Sequence, residues 1–129
     1  MDMIELIMKK YGDTCILHSP LTKSQYSKAK KYLPTELLNI LKISNGIDKI
    51  IIDNGKSEVI GSIVFSLSHI RSQTNAYFSE FGGDGFVFSG NDKMEFYVLK
   101  PNGTIWVYHY YDLKEELYAG SLVEFFQKY

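Results

Sequence analysis

FGGDGFVFSG (81–90), MEFYVLK (94–100), PNG (101–103) and TIWVYHYY (104–111) make up the stretch that decides the fold of this chain. Phe86 to Ser89, Met94 to Lys100 and Thr104 to Tyr110 carry the β-branched and aromatic residues that suit a pleated surface. Gly, Asn, Asp or Pro bounds each run, so the three runs predict an antiparallel meander. Pro101 has no N–H and cannot flank a two-residue Asn-Gly turn in a hydrogen-bonded pair. A three-residue loop fits instead, with Pro101 and Asn102 in a type I turn, Gly103 left-handed and Lys100 paired with Thr104. The register follows: Val98 faces Trp106, Phe96 faces Tyr108 and Met94 faces Tyr110 on one side. Leu99 faces Ile105, Tyr97 faces Val107 and Glu95 faces His109 on the other. Both sides are largely apolar, which predicts helices on one face and more chain, or a partner, on the other. Trp106, central in its strand, is expected to be buried between the sheet and a helix.

Upstream of this stretch the pattern is helical. Ile4, Ile7, Met8 and Tyr11 recur at helical spacing behind a capping box of Asp2 and Glu5, with Gly12 as a stop. Thr22 and Gln25 form a second capping box, opening a helix that buries Tyr26, Ala29 and Leu33 and leaves Lys23, Lys28, Lys30 and Lys31 as a solvated face. Pro34 breaks that helix and starts the next, which carries Leu37, Leu38, Ile40, Leu41 and Ile43 and ends at Asn45-Gly46. Asp53-Asn54-Gly55-Lys56 between Ile50-Ile51-Ile52 and Ser57–Ile60 predicts a hairpin. A further helix, capped by Ser66 or Ser68, places Ile70, Tyr77, Phe78 and Phe81 on one face. Beyond Tyr111 a short extended segment and a last helix are expected, the latter capped by Ser121 with Glu124 and burying Leu122, Phe125 and Phe126.

The chain has 129 residues, 45% hydrophobic and 22% charged, enough for one core and too few for two typical domains. One domain over 1–129, of α+β class, is the expectation: an antiparallel sheet made of a hairpin plus a three-strand meander, packed with helices. The acidic N-terminus lacks the basic region of a signal peptide, and no apolar run is long enough to span a membrane. A single cysteine, Cys15, makes neither an internal disulfide nor a cysteine metal site, so a cytoplasmic setting is expected. The sequon Asn102-Gly103-Thr104 is explained by the turn. Residues 1–70 hold nine Lys and Arg against seven Asp and Glu, and residues 71–129 hold five against eight. That small asymmetry argues against a general nucleic-acid binder.

Chemical motifs are sparse. His18, His69 and His109 show no paired metal-ligand spacing, so no metal is expected. Gly82-Gly83-Asp84-Gly85 lacks the Lys-Ser/Thr of a P-loop and leads into a strand instead of a helix, which makes it a turn. Cys15 and His18 have no orienting acid nearby, and a small core thiol is the simpler reading of Cys15. Glu95 opposite His109 reads as a cross-strand ion pair, with a base and its orienter as the rival. Tyr97, Trp106, Tyr108, Tyr110 and Tyr111 lack the interleaved Arg and Lys of a single-strand nucleic-acid platform.

Three pieces recur in a telling order: Leu33-Pro34-Thr35-Glu36-Leu37-Leu38 followed by Asn45-Gly46, then Gly83-Asp84-Gly85-Phe86-Val87-Phe88, then Ala119-Gly120-Ser121-Leu122-Val123-Glu124-Phe125-Phe126. Over Thr22 to Tyr129 the chain resembles the SUKH superfamily, which includes domains similar to fungal cell-wall-assembly regulators and many bacterial immunity proteins. The resemblance implies an α+β fold and a non-catalytic domain that binds a protein, a toxin encoded by an adjacent gene, without cofactor, direct nucleic-acid contact or membrane. An intracellular regulatory or scaffold domain is the second expectation, and a small enzyme using Glu95 and His109 the third. The expected partner surface combines Asp84, Asp92, Glu95, Asp112, Glu115 and Glu116 with Tyr110 and Tyr111, the acids meeting a basic groove and the tyrosines supplying buried contacts.

Overall fold

A computed structural model describes residues 2–129. Among them the chain forms five helices, α1 (Met3–Tyr11), α2 (Lys23–Ala29), α3 (Thr35–Leu41), α4 (Leu67–Phe81) and α5 (Leu122–Lys128). Seven strands accompany them: β1 (Cys15–Leu17), β2 (Ile47–Asp53), β3 (Lys56–Val64), β4 (Phe86–Asn91), β5 (Glu95–Leu99), β6 (Ile105–His109) and β7 (Lys114–Ala119). The strands make one antiparallel sheet in sequence order, so the domain is α+β and every neighbouring pair is joined without a crossover within the sheet. The hairpin and the meander are parts of this one sheet.

The turn chemistry does what the residues require. Lys100 N–H donates to Thr104 O at 2.9 Å, Gly103 N–H returns to Lys100 O at 2.9 Å, and Gly103 has φ +87°. Glu95, Phe96, Tyr97, Val98 and Leu99 pair with His109, Tyr108, Val107, Trp106 and Ile105 as the loop dictates. Asn54 and Gly55 both adopt positive φ, the twist that a two-residue hairpin needs. Asp2, Thr22, Ser66 and Ser121 each accept a backbone N–H three residues on, satisfying donors that a helix start leaves open.

Helices cover both faces of the sheet. Tyr77 and Phe81 of α4 lie 5.3 and 4.8 Å from the ring of Tyr108, which is stacked 5.3 Å from Phe96. On the opposite face Phe125 of α5 lies 5.1 Å from Tyr97 and 5.0 Å from Phe88, with α1 packed beside α5. Adjacent Phe96 and Tyr97 thus serve two separate layers, as strand alternation requires.

Several expectations need correction. Trp106 is half-buried and lines an open cleft, outside the ring contacts that Tyr77 and Phe81 of α4 make with Tyr108. Phe78 is 63% exposed, one residue round the helix from buried Tyr77, and Ile43 is 50% exposed because α3 ends at Leu41, before Asn45-Gly46. The second helix likewise stops at Ala29, four residues ahead of Leu33. Cys15 is not a core thiol but a half-buried member of the short strand β1, which the sequence reading missed.

Gly85 carries the chain from α4 into β4 at φ +127°, and a Cβ there would lie 2.6 Å from Leu99 O and 2.9 Å from Val98 Cγ1. Gly85→Ala is therefore expected to destabilise the domain by about 2–3 kcal/mol, since strain and a backbone clash add. An unchanged denaturant midpoint for this variant would contradict the close approach.

Candidate functional site

Antiparallel connectivity sorts the expected partner residues by position. Asp84 precedes β4 and Asp92 follows it, so the two lie at opposite ends of the sheet. The β4–β5 turn, with Asp92, and the β6–β7 turn, with Tyr110, Tyr111 and Asp112, share one end. Glu95 starts β5 at that end, and Glu116 reaches it through His109. Six of the eight residues therefore gather, and Asp84 and Glu115 do not.

The gathered end carries bare apolar surface. Tyr111 is 78% exposed and Leu113, at φ +51°, is 61% exposed. Tyr110 and Tyr111 stand edge to face at 5.5 Å, which limits how far either ring swings. Asp92, Glu95, Asp112 and Glu116 lie at this end of the sheet, with Lys93 and Lys114 in the same segments and Lys49 near Asp92.

His109 sits between two of these acids, with Nδ1 3.3 Å from Glu95 and Nε2 3.3 Å from Glu116. Glu95 also accepts from the Asn91 side-chain amide at 2.9 Å. Both imidazole nitrogens thus face carboxylates of the protein. The arrangement ties β7 to β5 across β6.

Glu115 points to the other face, where its Oε1 meets Lys100 Nζ at 2.8 Å and its Oε2 accepts from the Tyr77 hydroxyl at 2.6 Å. Lys100 also donates to that hydroxyl. Burial pulls the Lys100 ammonium down, but its bonds to Glu115 and Tyr77 outweigh this and hold it above the ordinary lysine value. Glu115 is consequently an internal tie, not a free charge of the partner surface.

A second concave region escaped the sequence reading because its members are scattered. His18 Nε2 lies 2.9 Å from Asp48, and both line an open polar cleft of about 510 Å³ with Ser19, Asn45, Ser66 and His69. His69 stacks on Phe65 at 3.9 Å, and burial pushes its imidazole below the usual value, towards the neutral form. Two of the first amides of α4 are already used: Asn45 Oδ1 accepts from Leu67 N–H at 2.8 Å and Ser66 Oγ from His69 N–H. The Cys15 thiol is pushed up first by burial and then by Asp13. Among the described residues no three His, Cys, Asp or Glu side chains converge as a metal site needs, and no helix is long and apolar enough to cross a membrane.

No family model, curated protein or solved structure matches this chain.

Proposed function

We propose that this chain is a non-catalytic protein-binding domain, a cytoplasmic bacterial immunity protein of the SUKH type that blocks a toxin encoded by the adjacent gene. The observation that carries this reading is the sheet end at Tyr110, Tyr111 and Leu113, where exposed apolar side chains stand among Asp92, Glu95, Asp112 and Glu116. Exposed tyrosines ringed by polar groups are the composition of interface anchors, and the acids would meet the basic substrate groove of a nuclease toxin. Occlusion of that groove by a stoichiometric partner is the mechanism.

Protection at cellular toxin concentrations calls for a dissociation constant on the order of nanomolar, about −12 kcal/mol. The acids set the approach: charge reversal of Asp92 and Asp112 together is expected to slow association several-fold at low salt, and less at high salt. Glu115 and Glu116 are left unchanged because their reversal would disrupt the contacts with Lys100, Tyr77 and His109. The experiment is co-expression of the neighbouring gene's product with wild type and variant, followed by association rates at two ionic strengths. A wild type that neither protects cells nor binds that product refutes the reading.

A further inference from the structure

The turn between β5 and β6 overlooks an open cleft of about 470 Å³ walled by Asp84, Lys100, Pro101, Asn102, Trp106 and Glu115. This is the half-buried position of Trp106, at the opposite end of β4 from the tyrosine tip. Two of its three charges neutralise one another, since Glu115 gives one oxygen to Lys100 and the other to Tyr77. Asp84 remains: it is exposed and takes part in none of the ion pairs among the described residues.

Asp84 is held there by its neighbours. A Cβ on Gly83 would lie 2.6 Å from the Tyr77 hydroxyl, and one on Gly85 would lie 2.6 Å from Leu99 O. The backbone on both sides of Asp84 is thus pressed against α4 and the sheet, which fixes where its carboxylate emerges. Trp106 is fixed as well, because its indole N–H donates to Thr104 Oγ1 at 3.0 Å. With that polar edge satisfied, the indole lines the cleft as an aromatic surface with no hydrogen bond left to offer.

An uncompensated carboxylate and an anchored indole in one cavity are complementary to a cation that is planar and weakly hydrated. We propose that this cleft binds a single arginine side chain of a protein partner, its guanidinium lying on Trp106 and pairing with Asp84. Tryptophan is the strongest cation–π surface among the side chains, and a guanidinium stacks and pairs at once where an ammonium does only one well. The cleft's size falls within the range of side-chain and small-ligand sites. Lys100 does not repel the guest because Glu115 and Tyr77 hold its charge. The inference rests on the protein-binding reading and adds the chemistry of one anchor.

Trp106 is the only tryptophan, so its emission reports this cleft alone. The full-length protein is titrated with acetyl-triarginine amide, acetyl-trilysine amide and acetyl-triglutamine amide. A saturable change in emission is expected for the arginine peptide, several-fold weaker for lysine and absent for glutamine. Asp84→Asn is expected to weaken the arginine response at least fivefold with an unchanged melting temperature, whereas Asp53→Asn, exposed at the β2–β3 turn, leaves it intact. No saturable change, an equal response to glutamine, or equal sensitivity to Asp84→Asn and Asp53→Asn overturns the site. If the adjacent-gene product binds wild type and Asp84→Asn alike while the peptides do nothing, the cleft falls and the immunity reading stands. If the arginine peptide binds through Asp84 while that product does not bind at all, the cleft stands and the immunity reading falls.

Discussion

Phe125→Ala is expected to lower the free energy of unfolding by about 3–5 kcal/mol, the cost of deleting a large aromatic from a close-packed core. Phe125 is fully buried, and its ring lies within 5.7 Å of five others: Phe88, Tyr97, Tyr118, Phe126 and Tyr129. The five belong to β4, β5, β7, α5 and the C-terminal residue, so collapse of the cavity would require several elements to shift together. Seven residues are too few for α5 to persist without its tertiary contacts, and the loss should extend to the α1–α5 layer. Trp106→Ala, by contrast, should cost less, since the indole already faces solvent on one side. Urea titrations of the two variants decide the point: midpoints that fall equally, or a Phe125→Ala loss below about 1 kcal/mol, would contradict this account of the core.

The difference between those two rings marks where sequence reading stops. Pro101 and Gly103 dictate their loop by removing an N–H and permitting positive φ, and a loop dictates its register, so every β5–β6 pair was legible from local chemistry. Capping residues are equally local. What register leaves open is which stretch of a face a helix covers: Phe96, Val98, Trp106 and Tyr108 share one face, and only the placement of α4 separates buried Tyr108 from half-exposed Trp106. The same holds for Phe78, whose spacing suits the buried face of α4 but whose neighbours do not reach it. Strand β1 has three residues and exists through pairing with β2 some thirty positions away, a contact that leaves no periodic trace. Of the candidate partner residues, the tip at Tyr110–Asp112 follows from its turn, whereas the inward role of Glu115 depends on β7 pairing with β6 and on Lys100 and Tyr77 arriving from elsewhere. The two glycines flanking Asp84 read as turn residues, which they are; their close approach to Tyr77 and Leu99 is a matter of packing alone.

Alkaline unfolding should be steep and should fall between about pH 10, where unfolded tyrosines ionise, and about 12. Burial raises the phenols of Tyr108 and Tyr129 to about 12, and raises those of Tyr11, Tyr77, Tyr97 and Tyr118 as well. A phenol whose folded value exceeds its unfolded one stabilises the fold fully at neutral pH. That contribution declines once the unfolded chain begins to ionise and is gone above the folded value. For Tyr108, 1% exposed, a rise of about two units corresponds to about 2–3 kcal/mol. A second such group would bring the loss to the low end of an ordinary domain's stability, about 5 kcal/mol. Lys100, held above its ordinary value, loses its contribution in the same direction, while Lys49, pushed down by burial between the rings of Tyr11 and Tyr129, is relieved and offsets part of it. The rings of Tyr118 and Tyr129 each lie about 5 Å from that of Tyr97 beside Phe125, so the first phenolate formed there repels the next and opens the α5 layer. Tyrosinate absorbance at ~295 nm and far-UV dichroism, followed from about pH 8 to 13, should therefore change in one coincident step for the buried phenols. Tyr108→Phe should move that step to higher pH, because the variant keeps the ring and discards the ionisable group. Complete tyrosine ionisation by pH ~11 with an unaltered dichroism spectrum would show that these phenols do not hold the fold in the way their burial requires.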